Sequence, residues 1–184
     1  MRLFTGIPIP PDVTANLSRL LDLLRPSAQI RWSPVYNLHI TTRFIGEWPE
    51  TRLSEIVGRL QPLGERATIT LEVSGLGWFP NPHSPRILFT AVRDSGALSD
   101  LATATDAALE PLGIEREQKP YHPHLTLARI KDAGATLAGL RQAIAKLETT
   151  ELGTFPASAF SLYASEPGPA GSIYTRLADI RFTQ

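Results

Sequence analysis

The sequence predicts an α+β chain folded as two similar lobes that face one another across a cleft. Two observations predict it. Segments with the period of a strand alternate with segments with the period of a helix. The order and spacing of those segments then repeat. The series strand, helix, strand, helix, strand runs through about residues 1–80 and again through about 86–184. From Arg2 to His39 is 37 positions, and from Arg86 to His124 is 38. His39 stands 12 positions before a helix start near Thr51, and His124 stands 12 before one near Thr136. A duplication of this kind implies one bilobal domain in which a pseudo-twofold axis sets equivalent residues opposite each other.

Each element has its own signal. Val13, Leu17, Leu20, Leu21 and Leu24 share one helical face after Pro10-Pro11-Asp12. Leu53, Ile56, Val57 and Leu60 do so after Pro49. Leu98, Leu101, Thr105 and Leu109 make a third face, and Leu137, Leu140, Ile144 and Leu147 a fourth. All follow the i, i+3, i+4, i+7 template. Strands are expected at Leu3–Ile9, Leu38–Ile45, Thr68–Val73, Arg86–Val92, His124–Ile130, Ala159–Tyr163 and Ile173–Phe182. Proline- and glycine-rich breaks at Pro80–Pro85, Pro120–Pro123 and Glu166–Gly171 read as loops.

Composition narrows the chemistry. A chain of 184 residues can bury roughly 70% of its unfolded surface in one domain. No run of 18 apolar residues is present, so no membrane span is expected. The opening MRLFTGIPIPPDV reads as a strand entering a proline turn, not as a secretory leader, and a cytoplasmic protein is expected. The absence of cysteine excludes disulfides, zinc–thiolate sites and thiol nucleophiles. A net charge of zero argues against extensive coating of a duplex, but leaves room for a local phosphate pocket. Arginines outnumber lysines 15 to 3. Arginine suits phosphate recognition, although compositional bias explains the excess as well.

The second strand of each half carries the same short string. It is Leu38-His39-Ile40-Thr41-Thr42 in the first half and Pro123-His124-Leu125-Thr126-Leu127 in the second. Side chains alternate along a strand, so His and Thr two apart point the same way. Each lobe would then present one imidazole and one hydroxyl to the cleft. Opening a cyclic phosphodiester with water needs that inventory. One base takes the proton of water, and one acid protonates the departing ribose oxygen. Neutral donors hold the non-bridging phosphate oxygens. Histidine titrates near neutrality and can fill either proton-transfer role, and threonine donates without adding charge. No metal is then required. Two other readings exist. One is a pair of strand histidines beside β-favouring threonines, which the matched positions in the two halves disfavour. The other is a histidine metal site, disfavoured because no Asp or Glu stands at ligand spacing.

LHITTRFIGE and PYHPHLTLAR resemble the paired H-x-[ST]-x motifs of the 2H phosphoesterase superfamily. The nearest resemblance is to its RNA 2′,3′-cyclic phosphodiesterase branch, the LigT/ThpR type historically named 2′-5′ RNA ligase. RLFTGIPIP, FPNPHSPRILFTAV and LYASEPGPAGSIYTRL are similar to family segments too, so the resemblance spans nearly the whole chain. Thr42 departs from it, since that branch commonly has an aliphatic residue there. The resemblance implies two antiparallel sheets flanked by helices around a central active-site cleft. It implies His39 as the general acid that protonates O3′, and His124 as the general base that activates water. Thr41 and Thr126 become phosphate clamps, and the product a 2′-phosphate. Phe44 and Arg129, each five past its histidine, sit where a nucleobase is held. Parity counting, however, puts both on the face away from the histidines. The implied ligands are RNA ends or nucleoside 2′,3′-cyclic phosphates, including single-stranded RNA and tRNA halves. No cofactor, no membrane and a monomer are expected.

Other residues carry weaker signals. Arg43 shares the His39 face by parity and could reach phosphate or stand as a surface cation. Tyr121 could line the cleft or pack. His122 suits a loop or supporting role, and His83 an exposed loop. Trp32, Trp48 and Trp78 suit packing. Alternatives at the level of function are the reverse reaction, joining RNA ends through a 2′-5′ bond, and an RNA-end-binding module with little turnover. A pure binder would need phosphate donors but not two imidazoles.

Overall fold

The computed structural model describes residues 1–131, 137–168 and 171–183. Among the described residues, nine strands form two antiparallel sheets, and four helices accompany them. The strands are β1 (Arg2–Pro8), β2 (Arg31–Trp32), β3 (His39–Glu47), β4 (Ile69–Phe79), β5 (Ile87–Arg93), β6 (His124–Arg129), β7 (Glu151–Ala157), β8 (Ala159–Gly168) and β9 (Gly171–Arg181). The helices are α1 (Pro11–Leu24), α2 (Leu53–Leu60), α3 (Ala97–Leu109) and α4 (Leu137–Ala145). One sheet runs β3-β1-β8-β9, and the other β2-β6-β5-β4-β7.

Neither sheet is made from one half of the chain. β2 and β4, from the first half, join β5, β6 and β7. β8 and β9, from the second, join β1 and β3. The helices follow suit: α1 lies against β7 and α4, and α3 lies against α2 and β3. The Asn16 side chain ties α1 to β7 by donating to the Leu152 carbonyl at 2.7 Å.

The apolar faces read from the sequence form the core. Val13, Leu17, Leu20, Leu21 and Leu24 are all buried on α1, whose first residue Pro11 has the backbone angle a helix start needs. Leu98, Leu101, Thr105 and Leu109 are buried on α3. Truncating one such leucine to alanine costs about 2–5 kcal/mol, because the lost transfer energy is joined by a cavity. On β1 both faces are covered: Leu3, Phe4, Thr5, Gly6 and Ile7 are all buried.

Several boundaries differ from expectation. β4 continues past Val73 to Phe79 through a bulge at Ser74–Gly75. Of the loop expected at Glu166–Gly171, residues 169–170 lie outside the described residues, while β8 and β9 stay paired up to Gly168 opposite Gly171. There cross-strand pairing overrides the turn signal of Pro167, Gly168 and Gly171. β7 was not expected, since Gly153 and Pro156 interrupt its pattern. It is an edge strand, where a residue without an N–H is tolerated. β2, two residues long, has too little sequence to show a period. Helix α4 ends before Leu147. The expected helix start near Thr136 lies outside the described residues.

Candidate active site

The two motifs open β3 and β6, each paired with an inner strand of its sheet, β1 and β5. His39 and Thr41 stand opposite Pro8 and Gly6 of β1. His124 and Thr126 stand opposite Ala91 and Phe89 of β5. Ile40 and Leu125, between them, are fully buried on the other face. The alternation therefore does what the H-x-T spacing requires: apolar residues anchor the strand while imidazole and hydroxyl share the opposite side.

Both strands then break parity at the same motif position. Thr5 pairs with Arg43 and Gly6 with Thr41, so Thr42 is the extra residue of a β-bulge. Leu88 pairs with Ala128 and Phe89 with Thr126, so Leu127 is the extra residue in the second strand. A bulge shifts every later side chain to the other face. Phe44 consequently comes round to the His39 face, where its ring lies 6.1 Å from that of Phe4. It is 61% exposed. Arg129, opposite Ile87, comes round to the His124 face in the same way.

The same shift removes Arg43 from the site. It turns to the helix side, where its guanidinium pairs with Asp106 of α3 and donates to the carbonyls of Phe44 and Glu115. Its expected contact with phosphate is thus corrected to a tie between β3 and α3. Thr42 also points away from the cleft. It is buried, and its hydroxyl shares a 2.8 Å hydrogen bond with that of Thr5. A polar residue replaces the aliphatic one without leaving an unpaired group.

Each imidazole is held by the same device. Nδ1 of His39 donates to the Asn37 carbonyl at 2.7 Å, and Nδ1 of His124 to the His122 carbonyl at 2.6 Å. A carbonyl can only accept, so the proton of the neutral ring is on Nδ1 and the lone pair is on Nε2. Nε2 of His39 lies 2.9 Å from the Thr41 hydroxyl. Aromatic rings hold both imidazoles from the sides. Phe4 stacks on His39 at 4.7 Å, and Tyr174 meets it edge-on at 5.1 Å. Phe79 and Phe89 meet His124 edge-on at 5.1 and 5.7 Å. Two glycines admit this packing. A Cβ on Gly6 would lie 3.3 Å from the His39 ring, and one on Gly77 would collide with the Phe89 ring.

Burial lowers the pKa of both histidines below the ordinary value near 6.5. At His39 the hydrogen bond to Asn37 opposes that shift, and the charge of His124 across the cleft adds to it. At His124 the bond to His122 opposes it, while the charges of Arg129 and His122 add to it. Tyr121 is half-buried, and desolvation raises its pKa, with the Asp94 charge adding to the effect. Its hydroxyl donates to the Thr41 carbonyl at 2.9 Å. It thus links the segment before β6 to β3 and serves as a strut between the two motif strands.

The remaining expectations sort simply. Thr126 lies beside His124, and its carbonyl accepts from the Ser33 hydroxyl at 2.8 Å. His122 contributes its carbonyl, and His83 is exposed in its loop. Trp32 and Trp48 pack with their N–H groups donating to the Ala28 and Arg52 carbonyls, and Trp78 packs with Arg141 over its ring. Sequence reasoning passed over Asn37, Phe4, Phe79, Phe89 and Tyr174. Only Asn37 had a signal available, as the residue two before a motif histidine. Among the described residues, no group of three or more His, Asp or Glu could hold a metal ion. No helix among them is long and apolar enough to cross a membrane.

A family model described as LigT like phosphoesterase matches the chain twice, over residues 7–89 and 92–174. The chain belongs to that family. Its relatives include a protein of Methanothermobacter thermautotrophicus named RNA 2′,3′-cyclic phosphodiesterase, 31% identical over 98% of both chains. A protein of Thermus thermophilus with the same name is 33% identical over 96% of this chain and 88% of its own. The crystal structure of TT0787 of Thermus thermophilus superposes with a TM-score of 0.83 at 30% identity, covering 99% of this chain and 98% of that one. The structure of E. coli LigT complexed with 3′-AMP shares the fold, with a TM-score of 0.81 at 22% identity over 100% of this chain and 98% of that one. The α+β architecture of two antiparallel sheets is that of the LigT-like phosphoesterases.

Proposed function

We propose that this chain hydrolyses 2′,3′-cyclic phosphate ends of RNA or nucleotides to 2′-phosphates, with His39 and His124 as its acid–base pair and no metal ion. The observation that carries the reading is the shared anchoring of the two imidazoles. Each gives its Nδ1 proton to a carbonyl two residues upstream, which leaves Nε2 for chemistry. That the relatives named above are RNA 2′,3′-cyclic phosphodiesterases supports the choice of substrate. The bilobal arrangement belongs to the same reading: one domain of two related halves, with one histidine from each.

In this reading Nε2 of His124 takes a proton from water as its oxygen attacks phosphorus. The P–O3′ bond breaks on the far side, and Nε2–H of His39 protonates the leaving O3′. One water is consumed, and a 2′-phosphomonoester and a 3′-hydroxyl are formed. Solvent then returns a proton to His39 and removes one from His124. Thr41 and Thr126 donate to the non-bridging oxygens, and the substrate displaces the Thr41 hydroxyl from Nε2 of His39. Phe44 and Arg129 hold the terminal base by stacking, which any base can accept.

The test is incubation with adenosine 2′,3′-cyclic phosphate in excess EDTA, followed by chromatography against 2′- and 3′-AMP. The expected product is 2′-AMP at an undiminished rate. A chelator-sensitive rate restored by a divalent ion overturns the metal-free mechanism, and a predominant 3′ product overturns the assignment of His39 to O3′.

A further inference from the structure

A second feature lies beside the histidine pair, and the proton-transfer mechanism does not use it. A cavity of about 580 Å³ is lined by Arg2, Arg31, Lys131, Ser165 and Ser172, with the backbone at Gly168 and Gly171. It sits where the β8–β9 hairpin of one sheet meets the end of β2 and β6 in the other. Three of its side chains are cations, and no carboxylate lines it among the described residues. This stands out in a chain whose net charge is zero. Arg2 leans on Glu47 at 3.7 Å, with both side chains well exposed. Arg31 and Lys131 form no ion pair among the described residues.

Two connections tie the cavity to the catalytic pair. The Asn37 side chain donates to the Ser172 carbonyl at 2.7 Å, while its own carbonyl holds Nδ1 of His39. Arg31 pairs in register with Arg129, whose charge is felt at His124. The cations continue along this end of the sheet, since Arg86 donates to the Lys131 carbonyl. The positive charge is thus continuous from the candidate base-holding arginine to the cavity. Next to Asn37, Tyr36 is 81% exposed, and next to Ser172, Ile173 is 52% exposed. A groove lined by cations and hydroxyls is the pattern that tracks the backbone of a single strand.

Resting on the function proposed above, we infer that this cavity binds the phosphodiester backbone of the RNA strand on the 5′ side of the reacting end. Arg31 and Lys131 contact phosphate oxygens, and Ser165 and Ser172 add neutral donors. The enzyme is then built for the end of a polynucleotide rather than for a cyclic mononucleotide. A mononucleotide reaches the histidines but leaves the cavity unused.

Binding is measured by fluorescence anisotropy with a labelled RNA tetranucleotide ending in a 2′-phosphate, so that no turnover intervenes. Wild-type protein is compared with Arg31→Ala, Lys131→Ala and the double variant, with folding checked by circular dichroism. The tetranucleotide is expected to bind at least tenfold more tightly than adenosine 2′-monophosphate in wild type, and the double variant to lose most of that advantage. The slope of log Kd against log salt concentration should fall by about 1.4 in the double variant, since each contact to a single-stranded phosphate contributes about 0.7. A tetranucleotide with neutral methylphosphonate linkages should bind wild type as the double variant binds the charged one. Three results overturn the inference: equal affinity for tetranucleotide and mononucleotide, an unchanged advantage in the double variant, or full affinity for the neutral backbone. The readout is independent of chemistry. A protein that binds in the expected pattern but hydrolyses no cyclic phosphate retains the cavity and loses the proposed function. The opposite result loses only the cavity.

Discussion

The two halves of the candidate site use one plan with different surroundings. In both, a strand histidine gives Nδ1 to the carbonyl two residues before it, and the fourth motif residue is a bulge. Around His39 the supports are internal. Phe4 stacks on it, Tyr174 closes its edge, and the Asn37 side chain fastens its anchoring loop to β9. Around His124 the anchoring residue His122 is exposed, and the nearby Arg129 is a cation. The residues brought round by the two bulges differ as well: an exposed ring, Phe44, on one side and a guanidinium, Arg129, on the other. The lesson is that duplicated geometry can carry complementary chemistry. The repeated strand sets two equivalent imidazoles, and their neighbours make the environments unequal, as an acid and a base of one residue type require.

The sharpest break of this comparison is removal of either imidazole. His39→Ala and His124→Ala should each lower kcat on a cyclic phosphate by about 10²–10⁴-fold, the usual worth of one positioned proton transfer. The double variant should be far less than multiplicatively worse, because the two groups act as one unit. Circular dichroism of each variant guards against unfolding. A folded single variant with near wild-type turnover removes the pair from the mechanism.

The threonines test whether the halves are equal at the next level. A hydroxyl donating to an anion contributes about 1.5–3 kcal/mol, or about tenfold to a hundredfold in rate. Thr126→Val should fall in that range. Thr41→Val should cost less, because the wild-type hydroxyl must give up its 2.9 Å contact with Nε2 of His39 when substrate binds. Steady-state kinetics on both variants decides it, and equal losses would mean that the Thr41–His39 bond plays no part in turnover.

The smallest effect is a shift in pH dependence. Both histidines are held below about 6.5, chiefly by burial. In the proposed mechanism the acid proton is then taken up at lower pH than by a free histidine. The profile of kcat/KM should be bell-shaped, with its maximum on the acid side of 6.5. The limbs belong to the pair jointly. Arg129→Ala removes a cation that favours neutral His124, so the pKa of His124 should rise and the profile should move to higher pH. Titration of the histidine ring protons by NMR separates this from a loss of base binding. An unmoved His124 titration would show that its asymmetry comes from elsewhere.

Much of this protein was legible in its amino-acid order. The apolar faces of four helices, the two motif strands and the duplicated spacing are local patterns, and burial follows them because a strand or helix exposes its side chains at a fixed period. His39, Thr41, His124 and Thr126 share their faces for the same reason. Other features were decided by tertiary contact. The bulges at Thr42 and Leu127 depend on how β3 and β6 register against β1 and β5, and no residue in either motif announces them. They reversed the parity forecast for Phe44, Arg129 and Arg43 together. The exchange of β2, β4, β8 and β9 between the halves, and the strand β7 with its edge proline, likewise depend on partners far away in the chain. The cationic cavity draws on β1, β2, the end of β6 and the β8–β9 hairpin. Strand pairing spends its hydrogen bonds between distant residues, so register and juxtaposition are properties of the assembled sheet, while periodicity belongs to the strand alone.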